Sequence, residues 1–305
     1  MGKEEMTINL KTYWNEQGYL DLLRDILATT EEYPDRTGVG CKKVFGASLA
    51  FDLRESFPKT TVRKTPFRFA FEEWMFFMRG QTDTKILEDK GIYIWKGNTS
   101  REFLDSRDLR HVPEGRMGFA YGWQFRDFGG TWDTVGTDQL KEVFDNLRDD
   151  PFSRRHYVTF WNPLQSDQMA LLPCFHSHQF HCEKHGGKIV LHLKVFSRSS
   201  DVLFGLPFNY TQYAFYLQVM AETLGYTAGT LLVSMTDSHV YKNQYDYAQE
   251  TVDREIDAKS IRRVVVNRHL ESLDDILELQ WGDISDTGNL VNTKPYKTDK
   301  PPMAV

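Results

Sequence analysis

Cysteine is scarce in this chain. The three present, Cys41, Cys174 and Cys182, form no even framework and no C-x-x-C pair. A disulfide-stapled secreted scaffold is thereby excluded, and a reducing compartment, the cytoplasm, is expected. No apolar run approaches the length of a signal core or a membrane span, so neither secretion nor membrane insertion is expected. Positive charge is also short: 37 Lys and Arg stand against 43 Asp and Glu, a formal charge of -6 at pH 7. The broad basic surface of a polynucleotide binder is missing, so affinity for phosphate must come from local arginine clusters and suits small anionic ligands. Repeats, low-complexity tracts and Pro/Ser-rich linkers are absent too, and nothing divides the chain. What remains is ample core material, with 40% hydrophobic and 14% aromatic content in 305 residues. One domain over residues 1–305 is expected, with Met1 to Leu10 read as a disordered lead-in.

Tyr19, Leu22, Leu23, Ile26 and Leu27 keep helical spacing and predict an amphipathic helix ending before Pro34, followed by a turn over Asp35 to Gly40. Phe67 to Met78 is apolar nearly all round except at Arg68, Glu72 and Glu73, which predicts a buried helix whose charges need partners. Arg155 to Trp161 and Lys188 to Val195 alternate with period two and predict strands, with Cys174 between them. A helix is predicted from Asn209 to Leu224, stopped by Gly225, then a strand from Thr230 to Met235 and a further helix after His239. Ser106 to Arg116 and Thr287 to Pro302 read as irregular. The sum is an α+β fold with a mixed sheet.

Three residues suggest covalent pyrimidine chemistry. A thiol with an ordinary pKa of about 8.5 is mostly protonated at neutral pH, so Cys174 needs a cation to act as a nucleophile, and Arg198 is the candidate. Asn209 offers both a donor and an acceptor to a base edge. An N-cap role for Asn209 at the start of the predicted helix is the competing assignment. A metal site built from Cys174, His176, His178, His181, Cys182 and His185 is the competing chemistry. It lacks C-x-x-C and H-x-x-x-H spacing, and on a strand Cys174, His176 and His178 would share a face from which His181 points away. No metal is expected.

Asp35-Arg36-Thr37-Gly38, Glu73, Ile94-Trp95, Ala120-Tyr121-Gly122, Ser153-Arg154-Arg155, Trp161-Asn162, Pro173-Cys174, Arg198-Ser199-Ser200-Asp201, Gly205-Leu206-Pro207-Phe208-Asn209, Asp237-Ser238-His239-Val240-Tyr241 and Met303-Ala304-Val305 occur in one order. From Asp35 onward the chain resembles the thymidylate synthase family. That resemblance implies a sheet-mediated homodimer that transfers a one-carbon unit from 5,10-methylenetetrahydrofolate to C5 of dUMP.

By the same resemblance Cys174 is the nucleophile that adds to C6, and Arg198 stabilises its thiolate while binding phosphate. Glu73 relays protons to the base carbonyl and the folate, with its neighbour Glu72 as the salt-bridging alternative. Tyr121 helps remove the C5 proton, unless it is merely packed under the pocket. Arg36, Arg154, Arg155 and Arg198 hold the phosphate, Arg154 and Arg155 from across the dimer interface. Ser199, His239 and Tyr241 bind phosphate or ribose, and Asn209 reads uracil. Ile94, Trp95, Leu171, Asp201, Gly205, Phe208 and the terminal Val305 take the folate, and Met303-Ala304-Val305 closes over the site.

Four positions in three places depart from the family pattern: Phe175 where histidine usually follows the nucleophile, Lys96 in place of an aspartate, and Phe119-Ala120 in place of Pro-Val. They surround the pocket that manages water. Hydroxymethylation of dUMP, in which water traps the methylene intermediate, is therefore the alternative outcome. A non-catalytic nucleotide-binding homologue is the third, at odds with retention of Cys174 and Glu73.

Overall fold

The computed structural model describes residues 10–257, 261–287, 296, 297 and 300. In chain order its elements are β1 (Thr12–Trp14), α1 (Asn15–Leu27), β2 (Cys41–Phe45), β3 (Ser48–Asp52), α2 (Phe67–Met78), α3 (Lys85–Glu88), α4 (Arg101–Ser106), α5 (Tyr121–Arg126) and α6 (Gln139–Asp149). There follow β4 (Tyr157–Thr159), β5 (Phe175–His185), β6 (Lys188–Asp201), α7 (Gly205–Thr223), β7 (Thr227–Tyr241), α8 (Tyr245–Val252), β8 (Arg263–Val266), α9 (Leu273–Glu278) and β9 (Ile284–Thr287). Among the described residues no helix is long and apolar enough to cross a membrane.

The expected α+β architecture with a mixed sheet is present. Seven strands form one sheet in the order β1-β3-β7-β6-β5-β4, with β2 also paired to β7, while β8 and β9 make a separate ribbon. The pairs β1–β3 and β6–β7 are parallel and the others in the large sheet antiparallel. Helix α7 packs on β6 and β7, and α2 packs on α7. Their shared core is aromatic: Trp74 lies 4.7 Å from Tyr213 and Phe71 5.2 Å from Phe215, ring centre to ring centre. Truncating either Phe71 or Trp74 to alanine would cost about 3–5 kcal/mol.

Helix α2 has the predicted limits, because its apolar residues occupy every face and both neighbours bury it. Four boundaries differ from expectation. Helix α7 begins at Gly205 rather than Asn209, since Pro207 in the first turn gives up an amide that has no intrahelical partner there. Asn209 therefore sits inside the helix and caps nothing. The strand predicted over Arg155 to Trp161 shrinks to β4, paired on one side only. By contrast β6 extends to Asp201 and β7 to Tyr241, because the β6–β7 ladder continues to Asp201 and His239 and β2 pairs with β7 as far as Tyr241. Gly225, at φ +69°, ends α7 as predicted, and the chain turns straight into β7. Of the segment Thr287 to Pro302, most lies outside the described residues.

Candidate active site

Two cavities meet at Cys174 and Leu171, one of about 480 Å³ and one of about 280 Å³. The larger is floored by sheet. Asp237, His239 and Tyr241 alternate along β7 and so face one way, while β2 sets Lys43 opposite His239 and Cys41 opposite Tyr241. Parallel pairing brings Ser199 beside Asp237. Arg36 and Arg198 complete the wall. Arg36 is presented by a turn that Asp35 locks, its carboxylate accepting the Thr37 and Gly40 amides at 2.6 Å each. Gly38 and Gly40 turn at φ +75° and +83°, a region that resists side chains. Asp237 is taken up by His239 Nδ1 at 2.8 Å and by Lys43 Nζ at 3.0 Å. Burial pushes the Asp237 carboxyl up, but those two partners outweigh it and hold it below its ordinary value. Arg36 and Arg198 bring positive charge to the same wall, where Arg198 also holds the Pro173 and Leu172 carbonyls.

Cys174 ends the loop that feeds β5. Its amide donates to the Tyr121 hydroxyl at 2.8 Å, and its carbonyl accepts the Arg198 amide at 2.9 Å. The Arg198 Nη2 stands 3.8 Å from the sulfur. Burial pushes the thiol up and exceeds the opposing pull of Arg198 and then Arg36, so the thiol stays above its ordinary value. The cation alone does not make a resting thiolate.

The smaller cavity lies between α2, α5 and the first turns of α7. Glu73 is 7% exposed and receives the Trp95 indole N–H on Oε1 and the Gln212 amide on Oε2, each at 2.5 Å. Burial pushes its carboxyl up to about 7 against those two hydrogen bonds. Such a group holds or releases a proton at neutral pH. Glu72, one helix position away, turns to Lys90 Nζ at 2.5 Å and leaves the cavity. Asn209 reaches into the same space, and its Nδ2 donates to Gln212 Oε1 at 3.3 Å. Phe175 closes one wall, its ring 5.6 Å from that of Tyr213.

Most of the residues singled out in the sequence converge here. Arg36, Arg198, Ser199, His239 and Tyr241 line the larger cavity, and Ile94, Trp95, Gly205, Phe208 and Asn209 line the smaller beside Glu73 and Tyr121. Leu171 and Cys174 belong to both. Asp201 instead turns to the entry of α7, where Oδ1 accepts the Leu203 and Phe204 amides at 3.1 Å each and Gln244 approaches Oδ2 at 3.4 Å. Arg154 and Arg155 are exposed on the loop before β4 and line neither cavity. Val305, with Met303 and Ala304, lies outside the described residues.

The His/Cys cluster is dispersed. A bulge between Phe175 and Ser177 breaks the alternation, so His176 does not share a face with His178. His176 stacks toward Phe196 at 6.4 Å, whereas His178 is buried beside Phe125 and Phe160. Among the described residues no three His, Cys, Asp or Glu side chains come together as metal ligands. Sequence reasoning passed over Lys43, Arg107 and Gln212, which line the cavities. The spacing of Gln212, one helical turn after Asn209, was the available signal.

A family model described as thymidylate synthase matches residues 17–305, a span that contains both cavities. The chain belongs to the thymidylate synthase family. It is similar to the thymidylate synthase of Agaricus bisporus, with 39% identity over 252 residues that cover 79% of this chain and 85% of that protein. Against the thymidylate synthase of Saccharomyces cerevisiae the identity is 35% over 284 residues, covering 88% of this chain and 92% of the relative. Against the bifunctional dihydrofolate reductase-thymidylate synthase of Paramecium tetraurelia it is 37% over 246 residues, and the matched part is 52% of that longer protein. The chain thus spans about half the length of the bifunctional relatives it matches. Of the three places where the sequence was read as departing from the family pattern, Phe175 is an apolar, 4% exposed wall of the smaller cavity. Lys96 faces outward with its ammonium 5.6 Å from the Tyr93 ring, away from the cavities, and Phe119 is packed against Trp123 and Trp132 at 4.7 and 4.9 Å.

Proposed function

We propose that this chain transfers a one-carbon unit from 5,10-methylenetetrahydrofolate to C5 of dUMP and reduces it to the methyl group of dTMP. The observation that carries this is the position of Cys174 between a cavity walled by guanidinium groups and one walled by aromatic rings. A nucleotide phosphate fits the first, against Arg36, Arg198, Ser199, His239 and Tyr241. The uracil then lies over Cys174 with its edge toward Asn209, and the pterin stacks on the Trp95, Leu171 and Phe208 side with Ile94 and Gly205.

Attack of the Cys174 sulfur on C6 turns C5 into an enolate carbon, which forms the new carbon–carbon bond. The thiol proton must leave as the bond forms, because burial holds the resting thiol above its ordinary value. Glu73 supplies or accepts protons at the base carbonyl and the folate, and Tyr121, whose hydroxyl already touches the Cys174 amide, stands where the C5 proton departs. The folate supplies the carbon at the oxidation level of formaldehyde and the hydride that completes the methyl group. Loss of the C5 proton expels the folate nitrogen and leaves a methylene on C5; hydride addition to that methylene then expels sulfur from C6, so Cys174 is regenerated.

Retention of Trp95 and Asn209 in the smaller cavity favours methylation over hydroxymethylation, and the Phe175 wall, which brings no hydrogen-bonding group of its own, is what keeps the second outcome open. The acting unit is a single catalytic domain over residues 1–305, working in the cytoplasm as a homodimer and needing no nucleic acid. Sheet residues on the face turned from α7, such as Lys194, Phe196, Leu232 and Ser234, stay exposed or half-exposed and would form the dimer contact. Arg154 and Arg155 then reach the partner's phosphate, and Val305 closes the partner-completed site. Asp201 acts on the folate by holding the start of α7.

Incubation of the purified protein with dUMP and methylenetetrahydrofolate, with absorbance of dihydrofolate and the mass of the nucleotide as readouts, tests this. Dihydrofolate with dTMP is expected. Tetrahydrofolate with 5-hydroxymethyl-dUMP would place water ahead of hydride, and dUMP binding without turnover would overturn the enzymatic assignment.

A further inference from the structure

Asn209, Gln212 and Tyr213 lie on one side of α7 by their i, i+3, i+4 spacing, and all three line the smaller cavity. Gln212 is 2% exposed, so each of its polar atoms needs a partner. Its Nε2 donates to Glu73 Oε2 at 2.5 Å and approaches the Ala70 carbonyl at 3.3 Å, while its Oε1 accepts from Asn209 Nδ2 at 3.3 Å. We propose that Gln212 is a positioning and specificity residue, one side chain that orients both the proton-relaying Glu73 and the base-reading Asn209. The inference rests on the roles given to Glu73 and Asn209 above.

The direction of the amide follows from the carboxylate. The Ala70 carbonyl only accepts in any state, and the Glu73 carboxylate only accepts when ionised, so Gln212 turns its NH2 to them and its oxygen to Asn209. Asn209 must then donate through Nδ2, which leaves Oδ1 and the second N–H for the base. That pair is complementary to N3–H and O4 of uracil. The overturned Asn209 amide would offer a donor where the acceptor stood, the arrangement that N3 and the exocyclic amine of cytosine require. It would also set Oδ1 against Gln212 Oε1, two acceptors in contact. Gln212 thus discriminates against cytosine without touching it.

The same contact acts on Glu73. Its hydrogen bond opposes the upward push of burial on that carboxyl, so removing it raises the carboxyl further. Two readouts that a packing role would not move together are therefore tied to one side chain.

The test uses the full chain with Gln212→Met, which keeps the volume and removes donor and acceptor, and Gln212→Glu, which keeps the shape. Calorimetric binding of dUMP and dCMP is measured beside kcat and KM across pH 6 to 9. For Gln212→Met the expected result is a dUMP-over-dCMP binding ratio reduced roughly tenfold, with the pH limb of kcat assigned to Glu73 displaced upward. For Gln212→Glu, turnover should survive at the acid end, where the new carboxyl is protonated and still donates. It should fall more steeply than in the unaltered chain as pH rises and the two carboxylates repel. An unchanged binding ratio with an unmoved pH limb overturns the proposal, as does equal weakening of both nucleotides. If Gln212→Met does not fold, the pH profile of Gln212→Glu decides alone. Absence of turnover in the unaltered protein would sink the reaction assignment, while the binding ratio would still decide the role of Gln212.

Discussion

Arg198 Nη2 stands 3.8 Å from the Cys174 sulfur while the same nitrogen donates to the Leu172 carbonyl at 3.1 Å and Nε donates to that of Pro173 at 3.0 Å. One guanidinium therefore fixes the loop that carries the thiol and also places a positive charge beside it. Of the two forces on the thiol, burial is the larger and the cation only limits it.

Removing that cation should make Cys174 less reactive. In Arg198→Ala the thiol loses the cation that limits its rise, which should slow its alkylation by iodoacetamide at pH 7.5 roughly tenfold. Mass spectrometry assigns the modified cysteine. Arg198→Lys keeps the charge without the two-carbonyl fork, so it should recover part of the alkylation rate and less of the thermal stability. Equal rates in all three proteins would remove Arg198 from the electrostatics of the sulfur.

Glu73 trades stability for function. Its carboxyl titrates near 4.5 when unfolded and near 7 when folded. The folded state holds the proton more tightly, so this contribution to stability is fully present below pH 4.5 and is lost as pH rises through 7. The displacement corresponds to an upper bound of about 3 kcal/mol. Glu73→Gln should be more stable than the unaltered chain by about 1–3 kcal/mol at pH 8 and no more stable at pH 4.5, while turnover falls by roughly a hundredfold or more. Denaturant unfolding at the two pH values reads the first effect. A variant less stable at pH 8 would mean that the Trp95 and Gln212 hydrogen bonds outweigh the cost of burying the charge.

Asn209→Asp replaces the N–H that faces uracil O4 with an acceptor. The kcat/KM for dUMP should drop by roughly a hundredfold and that for dCMP should rise, since a carboxyl accepts from the exocyclic amine of cytosine. Unchanged selectivity would show that the base edge is read elsewhere.

Arg154 and Arg155 are exposed and line neither cavity of their own chain. If they act across a dimer, mixing Cys174→Ser with Arg155→Glu subunits should restore activity that neither variant has alone, because one site in each hybrid is then whole. Hybrids as inactive as their parents would place both arginines outside the neighbouring site.

Several of these features are legible in the chain itself. Helix α2 could be placed to the residue because apolar side chains fill every face, and the nucleophile, the arginines and the amide were found as residue types in a distinctive order. Strand ends were less legible, since β6 and β7 run on through polar motifs that only neighbouring strands stabilise, and a one-dimensional pattern contains no edge partners. The same limit hid the bulge at Phe175 to Ser177 that separates His176 from His178. The sequence by itself determined which chemistry is available: a thiol, cations for a phosphate, a carboxylate on a buried helix. Only the tertiary structure decided how those groups bear on one another. Burial depth and direction come from packing between distant segments, and these raised the Cys174 thiol despite Arg198, sent Glu72 to Lys90, and joined Glu73 to Asn209 through Gln212.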